Sequence, residues 1–377
     1  MEKIHMVDLH SQYMTMKEEV DGAIRQVIGE SSFIKGKSVK EFAVSFAAYN
    51  NVKKVITCGN GTDALQIALM ALDLQKGNEI IVPTHTYFAT AEVIALLGLT
   101  PVLVDVDPDT FNIDVQQVEE KITKATKVII PVHLYGQCAD MENLLRIAQQ
   151  HDIKIIEDTA QALGATYTFS DDTTRKAGTM GYIGTTSFFP TKNLGCFGDG
   201  GAILVNDEAL GEKINMIANH GQRIKYHHEI IGCNSRLDTI QAAILQVKLA
   251  YLDEAIAKRQ KVAQVYTNGL KEVEGIEIPQ GTSFSTHSYH QYTIKINKGD
   301  RDVVKSKLLE KGIPSLIYYP VPVHLQKAYQ QYGYKKGDFP IAEKLQKTIL
   351  SLPIHPELPE DQQLYIIDTL TEIIKNA

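Results

Sequence analysis

Five short apolar runs, each closing on glycine or polar residues, recur through the first two thirds of the chain: "KKVITCGNG", "NEIIVPTHTY", "TPVLVDVD", "TKVIIPVHLYG" and "IKIIEDTAQ". Between them lie segments with helical spacing, among them "TDALQIALMALDL" (62–74) and "DMENLLRIAQQH" (140–151). Short runs without polar alternation are buried on both faces, and in alternation with helices they specify an α/β fold around a parallel sheet. Such sheets gather ligands beyond the carboxyl ends of their strands. That rule selects Gly61, Tyr87, His133, Tyr135, Asp158 and Gln161, the residues just past the runs, as candidates for one shared site.

From Ser235 onward, "SRLDTIQAAILQVKLAYLDEAIAKRQKVAQVY" reads as one long helical pattern with Leu237, Ile240, Ile244 and Val247 on a single face, leading out of the large domain. Beyond it, "YHQYTIKI", "DRDVVKSKLLEKG", "SLIYYPVPVH" and "EDQQLYIIDTLTEIIKN" predict a small α+β unit that ends in a helix. The expected division is 1–254 for a large α/β domain with its N-terminal segment and 255–377 for a small C-terminal domain, which a chain of 377 residues accommodates. With 38 basic against 45 acidic residues the net charge is -7, and no run of lysines or arginines could track a phosphate backbone, so nucleic acid is not an expected partner. The opening "MEKIHMVDLHSQY" lacks the apolar core of a signal peptide, and no stretch approaches the roughly 18 apolar residues of a membrane span, so a cytoplasmic protein without a membrane partner is expected. Cys58, Cys138, Cys196 and Cys233 are far apart with no pair at metal-ligand spacing, which predicts free thiols and no metal site.

Four motifs carry chemistry. In "CGNGTDALQ", Gly59 and Gly61 follow an apolar strand and precede a helix, so backbone N–H groups and the helix dipole can converge on a phosphate. Gly59, Gly61 and Ala64 also satisfy a loose dinucleotide fingerprint, which leaves an NAD(P)-binding dehydrogenase open. Such an enzyme wants an acidic residue at the end of the next strand, where this chain has "THTY". Asp158 closes "IKII", and a buried carboxylate needs a cation or several donors. It either caps the following "TAQALGA" or faces the ring nitrogen of pyridoxal phosphate and keeps it protonated.

Lys192 lies in "SFFPTKNLGCFGDGGAI" (187–203), ahead of Gly195, Gly198, Gly200 and Gly201. Glycines serve unusual dihedrals or close approach, and these leave a flexible tether for an amine that desolvation would release for Schiff-base chemistry. In "NSRLDT", Ser235 and Asp238 form a capping-box pattern before an apolar helix, and Arg236 is a candidate clamp on a phosphate or carboxylate.

Together, "GNGTDALQ", "EDTAQALGA", "TSFFPTKNLGCFGDGGAI", "NHGQ" and "NSRLDTIQAAIL" resemble the DegT/DnrJ/EryC1/StrS family of pyridoxal-phosphate nucleotide-sugar aminotransferases over nearly the whole chain. The resemblance implies an aspartate aminotransferase-like α/β fold (fold type I). It would have a large domain around a mixed, mostly parallel seven-stranded sheet and a small α+β C-terminal domain. It further implies that Lys192 is the catalytic residue and covalent anchor of pyridoxal 5'-phosphate, and that Asp158 pairs with the ring nitrogen. Gln161 would lie by the ring hydroxyl, Tyr87 would stack on the ring, and Gly61, Thr62 and Ser187 would hold the phosphate. Family members are homodimers with shared sites, so Asn234 would reach the phosphate, and Arg236 the substrate, from the second subunit.

The implied reaction takes an amino group from L-glutamate, releases 2-oxoglutarate and aminates C3 of a nucleotide-linked keto sugar, in surface-polysaccharide or amino-sugar synthesis. A lysine at position 192, where sugar-dehydrating relatives carry histidine, argues for transamination. "NGTDALQ", "LYGQCAD", "SFFPTKNLGC", "HGQ" with "YHH", and "NSRLDT" are similar to enzymes acting on UDP-2-acetamido-2-deoxy-3-oxo-glucuronate. "YYPVPVHLQKAY" is similar to enzymes acting on dTDP-3-oxo-6-deoxyhexoses. Where many relatives place a histidine directly before the Tyr-Pro pair, this chain has Tyr318. His227, Tyr318, Tyr319 and His324 are candidate sugar contacts. A non-catalytic binding protein of the same fold would have lost key residues, and Lys192, Asp158 and Gln161 are all present.

Overall fold

The computed structural model describes residues 3–376. Each apolar run forms a strand: β1 (Lys54–Cys58), β2 (Glu79–Pro83), β3 (Thr100–Val104), β4 (Thr126–Ile129) and β5 (Lys154–Asp158). Two more, β6 (Ile183–Ser187) and β7 (Gly201–Val205), bracket the Lys192 loop and complete a seven-stranded sheet in the order β1-β7-β6-β5-β4-β2-β3. Pairing is parallel from β3 through β6, whereas β7 runs antiparallel to both β6 and β1. The sheet is thus mixed and mostly parallel, as the family resemblance implies, and β7 is its antiparallel member because it follows β6 with no intervening helix to carry the chain back.

Both faces are covered, which is why the runs are apolar throughout. Ile80, Val82, Val128 and Ile156 pack with Ala64, Leu65 and Ile94 from the helices Gly61–Met70 and Ala89–Leu96. Ile81, Val104, Ile129 and Ile155 pack on the opposite face with Leu144 and Ala148 of the helix Met141–Gln150. Fully burying each such aliphatic side chain contributes about 1.5–3 kcal/mol.

The pattern read as one helix from Ser235 is two, Thr239–Leu249 and Leu252–Leu270. Its expected single apolar face also divides: Leu237, Ala242 and Leu245 meet Phe42 and Phe46, while Ile240, Ile244 and Val247 meet Met16 and Val20. The cause is that the first helix is sandwiched between the helices Lys17–Glu30 and Lys37–Asn50.

The helix Leu252–Leu270 carries the chain between cores. Leu252 and Ile256 belong to the core of the large sheet. Val262, Ala263, Tyr266 and Leu270 belong to a second core under the antiparallel sheet β8 (Ile276–Glu277), β9 (Tyr292–Ile296) and β10 (Ile349–Leu352). The helices Arg301–Glu310 and Glu360–Lys375 close that unit. Residue 255 lies inside the connecting helix, and the cores exchange chain elsewhere: Ile4 packs in the small core, and Val323, Tyr329, Phe339 and Ala342 pack in the large one. Asp105, just past β3, caps the helix Pro340–Thr348, its carboxylate accepting from Ile341 N–H at 2.8 Å and Ala342 N–H at 2.9 Å.

Candidate active site

The Lys192 loop connects the ends of β6 and β7 and is closed by Phe188 N–H donating to Gly200 O at 2.7 Å. A Cβ at Gly195 would lie 2.3 Å from Pro190 O, and one at Gly201 would lie 2.4 Å from Asn60 O. None of the loop's glycines has a positive φ. The expected flexible tether is therefore corrected: these glycines allow backbone to pack on backbone, and Gly201 seats the loop against the turn at Asn60. Two side chains of the helix Thr239–Leu249 hold the loop from behind. Lys248 Nζ donates to Gly195 O at 2.5 Å, and the Gln241 amide accepts from Phe197 N–H at 2.7 Å and donates to Phe197 O at 3.2 Å. Lys192 itself is half-buried, and burial pushes its amine from the ordinary 10.5 down to about 8, against the pull of Asp158.

Asp158 and Glu157 show what strand alternation does to adjacent carboxylates. Asp158 faces the Lys192 side, its Oδ2 accepting from the Thr90 hydroxyl at 2.9 Å and its Oδ1 from Ala160 N–H at 3.1 Å. The segment "TAQALGA" is a turn, so Asp158 caps a turn where a helix start was the alternative. Thr90 was not singled out from the sequence, although it stands three residues after Tyr87, the spacing that returns a helix to the same face. Glu157 points through the sheet. Its Oε1 accepts from Met180 N–H at 2.6 Å and Gly181 N–H at 2.5 Å, and its Oε2 accepts from Gly178 N–H at 2.8 Å and meets His133 Nε2 at 2.8 Å. His133 Nδ1 accepts from Ala139 N–H at 3.1 Å, which places the ring proton on Nε2. His133 is thus removed from the candidate site: it serves Glu157 on the opposite face.

At the start of the helix Gly61–Met70, Asn60 Oδ1 accepts from Asp63 N–H at 2.8 Å and Asn60 O from Ala64 N–H at 3.1 Å. The N–H groups of Gly61 and Thr62 have no acceptor among the described residues. A Cβ at Gly61 would lie 2.6 Å from Ser187 Cβ, so only glycine lets the end of β6 bring its serine hydroxyl beside those donors. Ser235 Oγ accepts from Gly59 N–H at 2.8 Å and donates to Asp63 Oδ2 at 2.6 Å. This overturns the capping-box reading, since Asp238 makes no side-chain cap bond to its helix. Nothing local in the sequence signals a partner 176 residues away.

The remaining candidates divide. Gln161 Oε1 accepts from Tyr135 N–H at 2.8 Å, which fixes its amide and turns Nε2 to the Tyr319 hydroxyl at 2.8 Å. The Tyr319 ring lies 5.9 Å from that of Tyr87, which is exposed. Tyr135 offers the site its backbone only, because its hydroxyl donates to Tyr318 O and meets His85 Nε2 at 3.1 Å. Burial pushes His85 down to about 4, so it is neutral. His324 is corrected from sugar contact to buried support: Nδ1 meets Thr84 Oγ1 at 2.8 Å and Nε2 meets Glu343 Oε1 at 3.1 Å. His227, on the hairpin Gln222–Ile224 with His227–His228, and Asn234 are exposed and bond to none of these residues. Arg236 is half-buried beside them in sequence.

The arrangement offers a helix N-terminus with free donors, a half-buried amine that can be neutral, and an anchored carboxylate facing it. That set suits a phosphorylated carbonyl compound carrying a basic ring nitrogen.

Comparison with known proteins agrees. The sequence profile of the DegT/DnrJ/EryC1/StrS aminotransferase family matches residues 14–371. The chain is 47% identical to the "pleiotropic regulatory protein" of Geobacillus stearothermophilus, covering 99% of each. It is 44% identical to the UDP-2-acetamido-2-deoxy-3-oxo-D-glucuronate aminotransferase of Pseudomonas aeruginosa, covering 94% of this chain and 96% of that one. The solved structure of DesV from S. venezuelae superimposes with a TM-score of 0.95 at 39% identity, covering 100% of this chain and 99% of the other.

Proposed function

The chain belongs to the DegT/DnrJ/EryC1/StrS aminotransferase family, and on that premise we propose that it moves the amino group of L-glutamate to C3 of a nucleotide-linked 3-oxo sugar, with UDP-2-acetamido-2-deoxy-3-oxo-hexuronate as acceptor. It is a pyridoxal-phosphate-dependent sugar aminotransferase. When bound, the cofactor supplies a carbonyl carbon that exchanges amino groups and a ring that withdraws electrons.

The observation that carries the reading is Lys192: a half-buried amine with no hydrogen bond among the described residues, lowered to about 8, facing Asp158. An amine at that value is neutral often enough near neutral pH that it would hold the cofactor's carbonyl carbon and, once the donor's amine has displaced it, the freed Nζ would accept a proton from the donor carbon. In this reading Gly61 N–H, Thr62 N–H and the Ser187 hydroxyl take the phosphate. Asp158, steadied by Thr90 and Ala160, takes the ring nitrogen's proton side, Gln161 Nε2 takes the ring hydroxyl, and Tyr87 covers the ring face.

Phe189 and Phe197 flank the Lys192 loop and, with Phe33, remain exposed. This apolar rim supports a homodimer, in which the exposed Asn234 and His227 and the half-buried Arg236 serve the partner's site. Tyr318 and Tyr319 remain candidate sugar contacts from the chain's own side. The absence among the described residues of a helix long and apolar enough to cross a membrane, together with four free cysteines, supports a reaction in the cytoplasm.

The 40% identity to the dTDP-3-amino-3,4,6-trideoxy-alpha-D-glucose transaminase of Streptomyces venezuelae and the "YYPVPVHLQ" segment favour a second acceptor, a dTDP-3-oxo-6-deoxyhexose. The burial of His324 removes one of that segment's candidate contacts, which tilts the choice to the UDP-linked uronate. The dehydrogenase reading ends with family membership. The regulatory name of the Geobacillus protein describes no chemistry that Lys192, Asp158 and Gln161 would serve.

The test uses protein treated with L-glutamate and freed of it, with candidate 3-oxo nucleotide sugars added one at a time while cofactor absorbance is followed. Return of the starting band with the UDP-linked uronate is expected. Return only with the dTDP-linked sugar moves the assignment to the second reading, and return with neither overturns both.

A further inference from the structure

The free edge of the large sheet carries a charge pattern of which the reading above uses only Arg236. Beside the end strand β1, between Val55 and Thr57, the helix Lys37–Asn50 and the end of the helix Glu208–Ile217, lies a cavity of about 290 Å³. Its lining contains Lys35, Lys40 and Arg236 and no acidic residue, in a chain whose net charge is -7. None of the three cations has a hydrogen bond or an ion pair among the described residues. Partial burial and the Arg236 guanidinium hold the Lys35 ammonium below its ordinary range, so these like charges face one another without a counter-ion. Such a grouping disfavours the empty cavity, and an entering anion relieves it.

Lys35 is also held in place. Its φ of 54° lies in the left-handed region, sparsely populated by residues other than glycine. The flanking chain fixes it there: Thr239 N–H donates to Phe33 O at 3.0 Å, Gly36 N–H donates to Thr239 Oγ1 at 3.1 Å, and Ile34 bridges to Asp238. A Cβ at Gly36 would lie 2.7 Å from Thr239 Cγ2, so the loop and the start of the helix Thr239–Leu249 are in close contact. Asn215 and Asn219 add neutral amides to the lining. The cavity exceeds a single phosphate and approaches the small-ligand range of roughly 300–1,000 Å³.

We propose that this cavity binds the diphosphate of the nucleotide-linked sugar, with Lys35 and Arg236 as its principal clamp and Lys40 at its rim. The inference rests on the nucleotide-sugar reading given above and adds to it a site for the charged half of the substrate. Arg236 lies in the same segment as Asn234, on the surface assigned above to the partner's site.

The test is titration calorimetry at low ionic strength with UDP, inorganic pyrophosphate and uridine. It compares cofactor-loaded wild-type protein with Lys35→Gln, Lys40→Gln and the double variant. UDP is expected to bind the wild type, pyrophosphate to displace it and uridine to give no heat. Removing each lysine is expected to weaken UDP roughly tenfold, in line with a hydrogen bond to a charged group. The cofactor's absorbance in the same samples shows that the variants fold. As a second measurement, added KCl should weaken UDP binding to the wild type much more than to the double variant. A double variant that binds UDP as tightly as the wild type, or uridine binding as tightly as UDP, would overturn the assignment. Release of 2-oxoglutarate from glutamate by the wild type reports on transamination alone, so failure of this inference is distinguishable from failure of that reading.

Discussion

Replacing Glu157 with glutamine removes a charge and changes almost no volume, yet the structure assigns it a large effect. Oε1 accepts from Met180 N–H at 2.6 Å and Gly181 N–H at 2.5 Å, and Oε2 accepts from Gly178 N–H at 2.8 Å and His133 Nε2–H at 2.8 Å. All four partners are donors, whereas glutamine offers one acceptor oxygen and one donor amide. Whichever way the amide turns, two donors face an NH₂ group. His133 cannot relieve the conflict, because its Nδ1 already accepts from Ala139 N–H and a change of tautomer would only move the clash. Hydrogen bonds to charged groups contribute about 1.5–3 kcal/mol each, so the loss of two at this fully buried position costs about 3–6 kcal/mol.

Asp158→Asn behaves differently. The Thr90 hydroxyl can rotate to accept from the new amide while the retained oxygen accepts from Ala160 N–H, so this change costs about 1 kcal/mol or less. The assay is thermal unfolding of cofactor-free wild type and both variants, with 2-oxoglutarate release measured on the loaded proteins. Glu157→Gln is expected to lower Tm by roughly 4–8 °C in a chain of 377 residues. Asp158→Asn is expected to melt close to wild type and to lose 2-oxoglutarate release. A Glu157→Gln protein melting within about 2 °C of wild type would refute the four-donor account.

Three further outcomes are expected. With Lys192 lowered to about 8, half of its amine is neutral at that pH, against about one part in 300 at the ordinary 10.5. Because the neutral amine is the reactive form, cofactor reloading onto the apo-protein should accelerate through pH 8 and level off above it, and a rate still rising tenfold between pH 9 and 10 would contradict the assignment. Ser235→Ala leaves Gly59 N–H and Asp63 without their shared hydroxyl, at about 1–2 kcal/mol, and should weaken cofactor affinity several-fold in equilibrium dialysis. His324→Phe strands Thr84 and Glu343 and should lower Tm without changing the KM for the sugar, whereas a raised KM at unchanged Tm would return His324 to the substrate.

What is legible in the sequence follows from burial. β1 to β5 stand out because a strand covered on both faces leaves an unbroken apolar run, and Asp158 stands out as the charge that ends one. β6 carries "IGTTS", whose threonines are buried as fully as the isoleucines elsewhere, so nothing in its composition marks a central strand. Residues just past a strand end up on different faces, Asp158 and Gln161 beside Tyr319 and His133 against Glu157, because the rule gives the end of the sheet and the side chain's face depends on local alternation. The glycines after Lys192 signalled an unusual need, but whether they answer to φ or to close approach depends on Pro190 and Asn60, which only the folded chain brings near. Ser235 satisfied a local capping pattern and was claimed instead by Gly59 and Asp63. In each of these cases a tertiary partner overrode a local preference.

The most direct test of the central claim is 2-oxoglutarate released in a single turnover when L-glutamate alone is added to cofactor-loaded wild type and to Lys192→Ala. The account predicts stoichiometric release from the wild type and none on the same time scale from the variant. Release from Lys192→Ala at the wild-type rate would contradict it.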